Sequence, residues 1–230
     1  KCLSSFNENY TIIDKILVNL RTVGIKDIYV VGGYQILAIL KSHPKLKYFY
    51  NDQWEETKSL YSLKIAETEF NDDLLVSYSD IVYNHQLLND LMAKNTDISI
   101  GYDSEWIKRY AGRNEEMLNE AEKIILTKNN KIKVDKNIET GVNVIGEFMG
   151  VFRVNRSLSN VLSAEINSLL LKENSASVCD LINILAQKYS VSLVDVKGHW
   201  AELDTPQDLF QFKFGTKAET LKKLENKLKH

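Results

Sequence analysis

Three stretches of the 230-residue sequence place residues of useful chemistry at the ends of apolar runs. In Trp200-Ala201-Glu202-Leu203-Asp204-Thr205-Pro206, an extended backbone points Glu202 and Asp204 to one side and Leu203 to the other, toward a core. Asp80 follows the apolar run from Asp73 to Tyr78. Together these carboxylates would form an all-oxygen site suited to Mg²⁺, which takes a few carboxylates and completes its shell with substrate phosphates. Each has a plainer alternative. Asp80 could cap the next helix, and Asp204 could merely neighbour a cap made by Thr205 with Pro206 at the first helical position. The third stretch is Gly32-Gly33-Tyr34. Two glycines let the backbone approach a ligand closely, and a tyrosine can lie along a base or ribose. A tight strand-to-helix turn is the competing reading.

Other chemistries lack their residues. No glycine spacing fits a dinucleotide fingerprint or a Walker loop, and no GxSxG elbow occurs. His43, His85, His199 and His230 are scattered, and the two cysteines, Cys2 and Cys179, form no CxxC pair.

The elements that must position these residues alternate. Thr11 to Val23 has apolar residues at helical spacing and stops at Gly24. Asp27 to Val31 (DIYVV) suits a strand buried on both faces of a sheet. Helix is expected at 34–40, 59–66 and 85–93, and strand at 48–50, 73–78 and 97–102. Beyond Asp103 the sequence predicts a hairpin about Asn129-Asn130, a long strand over 142–154 and helices near 158–171 and 178–188. A strand at 192–196, an extended segment at 200–203 and a helix from Pro206 follow. Residues 217–229 read as a solvated amphipathic helix or an oligomer contact. The expected architecture is therefore α/β. It is a Rossmann-like, doubly wound, mixed but mostly parallel sheet flanked by helices, with a small hairpin insertion and a C-terminal helix. One domain spans 1–230.

Composition narrows the class of function. Lys+Arg number 29 and Asp+Glu 31, a net charge of −2, which disfavours bulk nucleic-acid binding. Glycine (10) and proline (2) are too few for fibrous or linker classes. No apolar run reaches the roughly 18–20 residues that span a bilayer. A cytoplasmic location and no membrane partner are the default expectations.

The residues then match a pattern. Lys1-Cys2-Leu3, Asp27 to Tyr34, Asn51 with Glu56 to Leu63, Ser79 to Tyr83 and Trp200 to Leu209 occur in the order of the corresponding motifs of the MobA-like nucleotidyltransferases. The chain resembles their small cytidylyltransferase branch, whose acceptors include phosphocholine, 2-aminoethylphosphonate and phosphoglutamine. Tyr102 to Trp106, Arg109, Arg113, Glu122-Lys123 and Gly146 to Gly150 resemble the members tied to phosphonate and capsule phosphoramidate metabolism.

The resemblance implies transfer of CMP from CTP to a phosphorylated small amino compound, with Mg²⁺ as cofactor and a homodimer as one possible assembly. It implies Lys1 as a catalytic cation and Asp80, Glu202 and Asp204 as metal ligands. Gly32, Gly33, Tyr34 and Ser79 would border the nucleotide. Ser62, Asp103, Trp106, Arg109, Arg113, Glu147, Phe148 and Trp200 would line the acceptor pocket. Core packing is the alternative for Trp106 and Phe148, and a solvated helix face for Arg109 and Arg113. Lys58-Ser59 depart from the Asn-Asn common in the branch, which leaves substrate choice open. The family's first strand and Gly-rich phosphate loop are expected upstream of Lys1. A sugar-1-phosphate nucleotidyltransferase and an inactive nucleotide-binding module are the rival readings.

Overall fold

The computed structural model describes residues 1–5, 7, 10–110, 115–139 and 143–215. The expected helix over 217–229 and Arg113 lie outside these residues, and so does the side chain of Arg109.

The chain begins its regular structure with α1 (Ile12–Thr22). Thr11 and Asp14 form a capping box, with Asp14 Oδ2 accepting from the Thr11 amide at 2.8 Å. Gly24, at φ +86°, supplies the left-handed residue after the helix. The apolar residues of α1 serve two clusters. Ile13 and Leu17 pack with Ile39, Ile28, Val30 and Tyr48, while Ile12 and Ile16 pack with Ile81, Val82, Leu88 and Phe212. The helix is thus a wedge between two layers.

One layer is a βαβ unit, β1 (Tyr29–Gly32), α2 (Ile36–Ser42) and β2 (Lys47–Tyr50), with β1 and β2 parallel. The other layer is assembled from later elements. These are α3 (Ser59–Ile65), β3 (Leu74–Ser77), β4 (Ile81–Tyr83), α4 (His85–Met92) and β5 (Ile98–Asp103). Next come α5 (Trp106–Arg109), α6 (Glu115–Asn119), β6 (Lys123–Leu126), β7 (Ile132–Asp135) and β8 (Val144–Val154). The series closes with α7 (Ser159–Lys172), α8 (Val178–Lys188), β9 (Val191–Asp195), β10 (Trp200–Glu202) and α9 (Pro206–Phe214).

β8 organises the main sheet. One edge pairs with β5, which in turn pairs parallel with β9. The other edge pairs antiparallel with β3 near the end of β8 and with β6 near its start. β6 and β7 form the expected hairpin. α3, α7 and α8 cover one face around Ile98, Ile100 and Phe152; α1, α4 and α9 cover the other around Val151, Met149 and Val194. The mixed sheet flanked by helices is as expected. Its parallel share is smaller than the alternation of elements suggested, because the long β8 runs against three neighbours.

β1 also differs from expectation. It is half-buried throughout, not enclosed on both faces. Among the described residues its second edge and the outer edge of β3 have no strand partner. Both border a groove of about 1620 Å³ lined by Tyr29, Val30, Val31, Leu74 and Val76.

Candidate active site

β10 pairs antiparallel with β4, Glu202 opposite Ile81, and the Leu203 amide donates to the Asp80 carbonyl at 2.9 Å. This short ladder brings the turn after β3, with Asp80, against the turn after β10, with Asp204. Neither acid serves as a helix cap. Thr205 caps α9 in a capping box with Asp208 and Pro206 in the first turn, and Asn84 caps α4. Both carboxylates are therefore left for other work.

Lys1 joins them. Its Nζ donates to Asp204 Oδ1 at 2.7 Å and lies 3.7 Å from Asp80 Oδ2. Burial and the like charge of Asp204 raise the Asp80 pKa above the ordinary carboxylate value, with Lys1 opposing them. Burial disfavours charge on Lys1, yet its bond to Asp204 and the fields of Asp80 and Glu202 prevail and raise its pKa. Among the described residues no group of three or more His, Cys, Asp and Glu side chains is assembled to hold a metal. The ammonium of Lys1 stands between the two acids.

The cluster opens into a cavity of about 330 Å³. Lys1, Asp80, Glu202 and Asp204 form one end; Tyr110, Glu122, Lys136 and Glu147 line the rest with Tyr78 and Phe148. The floor is β8 between its two partners. β3 leaves after Ser77 and β6 begins at Lys123, so on that edge residues 148–150 make single bonds only. The Tyr78 amide donates to the Gly150 carbonyl at 2.9 Å and the Phe148 amide to the Glu122 carbonyl at 2.8 Å. Gly150 has φ +79°, and a Cβ there would lie 2.5 Å from the Tyr78 ring. Tyr78 and Phe148 meet edge to face at 6.0 Å.

The structure sorts the candidates. Glu147 and Phe148 line the cavity beside Lys1, Asp80, Glu202 and Asp204. Asp103 does not. It is fully buried and its carboxylate is taken by the Gly198 and Glu105 amides and the Trp200 indole, at 2.8, 2.9 and 2.9 Å. Asp103 and Trp200 thus fasten β10 to the end of β5 and do not line the cavity. Trp106 is buried against Tyr110 at 5.8 Å in a satellite core with Ala121, so packing claims it.

Ser62 accepts from Asn51 Nδ2 at 3.1 Å and, like Ser79, lines the large groove, which shares Tyr78, Asp80, Glu120, Glu122 and Lys136 with the cavity. Gly33 packs so tightly that a Cβ would sit 2.2 Å from the Trp54 ring, and Tyr34 is exposed beside that ring at 5.4 Å. Gly32 ends β1 and accepts from the Asn51 amide at 2.9 Å. Sequence reasoning missed Tyr78, Tyr110, Glu122 and Lys136 as cavity residues. Only the folding of the β6–β7 hairpin against β8 gathers them.

No protein-family model matches the chain. The chain is similar to a curated CTP:phosphoglutamine cytidylyltransferase of Campylobacter jejuni, 26% identical over 227 residues that cover 91% of this chain and 89% of that one. Among solved structures, it resembles an inositol-1-phosphate CTP transferase from T. maritima. The TM-score is 0.67 at 16% identity, covering 97% of this chain and 87% of the other. A putative glucose-1-phosphate thymidylyltransferase from Bacillus anthracis gives 0.69 at 14%, covering 96% and 86%. The CTP:phosphocholine cytidylyltransferase of Streptococcus pneumoniae gives 0.59 at 18%, covering 99% and 89%. The fold is that of the nucleotidyltransferases. Among the described residues no helix is long and apolar enough to cross a membrane.

Proposed function

We propose that the protein is a cytidylyltransferase. An oxygen of a phosphorylated amino compound, phosphoglutamine in the first instance, attacks the α-phosphorus of CTP. A new P–O–P bond forms, the bond to the β-phosphate breaks, and pyrophosphate leaves. The observation that carries this reading is a small cavity that gathers Lys1 and the Asp80–Asp204 pair with further carboxylates, Lys136 and aromatic rings. The similarity to the phosphoglutamine enzyme supports the acceptor.

Such chemistry needs positioning and charge neutralisation more than proton transfer. Lys1 presents a cation to the transferring phosphoryl group. Among the described residues, Asp80, Glu120, Glu122, Glu147, Glu202 and Asp204 line the cavity together with Lys1 and Lys136. The donor chemistry fits Mg²⁺, with Asp80 and Asp204 as its holders and Glu202 beside them. When bound, the ion would offset phosphate charge and polarise the phosphoryl oxygens. Gly33 and Tyr34 then border the nucleotide. We place the reaction in the cytoplasm, with the product serving surface-polysaccharide decoration.

The test is a pyrophosphate-release assay. Turnover should require CTP, Mg²⁺ and a phosphorylated amino compound together. Asp80→Ala should slow it by about 100-fold or more, the scale of losing a group that stabilises transition-state charge. No turnover with phosphoglutamine, 2-aminoethylphosphonate, phosphocholine or sugar phosphates would refute the enzyme, and a near-normal Asp80→Ala rate would refute the assignment of Asp80.

A further inference from the structure

The end of the cavity away from Lys1 carries both signs of charge. Glu147 is buried on β8, and its Oε1 accepts from the Tyr110 hydroxyl at 2.6 Å. Glu122 precedes β6 and is hydrogen-bonded to Cys179; burial raises its pKa. Lys136 follows β7 and lines the same cavity. Its Nζ lies 3.0 Å from Glu120 Oε2, and both side chains are well exposed. Exposed pairs of that kind contribute little, so a ligand carboxylate can replace Glu120 at small cost. Lys123 is not available for this work. It is buried, and its Nζ donates to the carbonyls of Asn119 and Lys136 at 3.1 and 2.6 Å, which fixes Lys136 in place.

An acceptor that carries only an amine has use for the carboxylates and the rings. It has none for Lys136. An α-amino acid head uses both signs at once. We infer that this end of the cavity reads an α-amino acid head group, with Glu122 and Glu147 receiving the ammonium and Lys136 the carboxylate. The phosphoryl group of the same acceptor then lies toward Lys1, and a cavity of about 330 Å³ has room for one small metabolite. This rests on the cytidylyltransferase reading and adds to it a specificity-determining residue, Lys136.

The matched probes are phosphoglutamine and its decarboxylated counterpart, phosphorylated 4-aminobutanamide. Their kcat/KM ratio is measured by pyrophosphate release. Their Kd ratio is measured by calorimetry with the α,β-methylene analogue of CTP, which cannot transfer. The wild type should prefer phosphoglutamine. In Lys136→Met that preference should fall about 10- to 100-fold, through KM more than kcat, the scale of one lost charge-assisted contact. Lys136→Arg should restore most of it, and Glu122→Gln should weaken both acceptors. A Lys136→Met preference within twofold of wild type would overturn the inference while wild-type turnover leaves the enzyme reading standing. If the wild type turns over no acceptor, that reading fails, and the Kd ratio still decides Lys136.

Discussion

Asp103→Asn separates a positioning acid from a substrate-binding one. The side chain is fully buried and holds three segments together. Oδ1 accepts from the amides of Glu105 and Gly198, and Oδ2 from the Trp200 indole. Asparagine keeps the first two contacts if its oxygen replaces Oδ1, but its NH₂ then faces the indole N–H, donor against donor. One hydrogen bond to a charged acceptor is lost inside the protein and a donor is left without a partner, which costs about 2–3 kcal/mol. For a chain of this size that is a fall in melting temperature of about 4–12 °C. Asp103→Ala orphans three donors and should cost more, about 3–6 kcal/mol.

The functional effect should pass through β10. Trp200 opens that strand, and Asp204 follows its end. A looser strand spoils the register that sets Asp204 against Asp80, so kcat should fall while the KM for the acceptor stays near wild type at temperatures well below melting. Thermal unfolding by circular dichroism and steady-state kinetics read the two effects separately. An Asn variant that melts like wild type but shows a raised acceptor KM would refute the reasoning, because it would mean that the carboxylate meets substrate.

Two further perturbations probe the frame of the cavity. Burial opposes the charge on Asp73, but the Arg153 guanidinium at 2.7 Å and the Arg156 amide at 2.9 Å outweigh it and hold its pKa below the ordinary 3.8. A depressed folded-state pKa gives stability that is present above the unfolded value and lost as pH falls through the lowered one. Asp73→Asn should therefore cost about 1–2 kcal/mol near neutral pH, mostly from the buried Arg153 left short of a partner, and the gap to wild type should close below about pH 4; a gap that stays constant to pH 2.5 in urea melts would contradict this. Gly150→Ala forces a side chain onto a φ of +79° and into the Tyr78 ring. It should cost about 2–4 kcal/mol and raise the acceptor KM, and wild-type melting in a thermal scan would count against the observed path of β8.

Local signals read well where one segment decides its own fate. The Thr205 cap with Pro206 after it, the glycine after α1 and the hairpin at Asn129-Asn130 act within a few residues, and all form. Asp80 and Asp204 were legible as strand-end acids because polar residues after apolar runs have few structural uses. Asp103 looked the same. What distinguishes it is an indole 97 positions away, and no local pattern carries that. Trp106 was ambiguous in the same way, since its packing depends on Tyr110 and on Ala121 beyond α6.

The cavity exists because β8 is longer than the strands beside it. Its eleven residues pair with β3 at one end and β6 at the other, and the two partners diverge where residues 148–150 pass between them. Each diverging strand brings an acid to the gap. The chain leaving β3 reaches Asp80 three residues past Ser77, and the chain entering β6 carries Glu122 just before Lys123. The unlike ends of the site are thus set by topology before any side chain is chosen. The acid near β4 is drawn toward β10 and Lys1. The acid near β6 is drawn toward the hairpin, which supplies Lys136. Glycine at position 150 allows the bend between them, and Tyr78 fills the angle with a ring. On the proposed reading, this fork lets the acceptor change with the hairpin side alone, while the phosphate side stays fixed by the β4–β10 ladder.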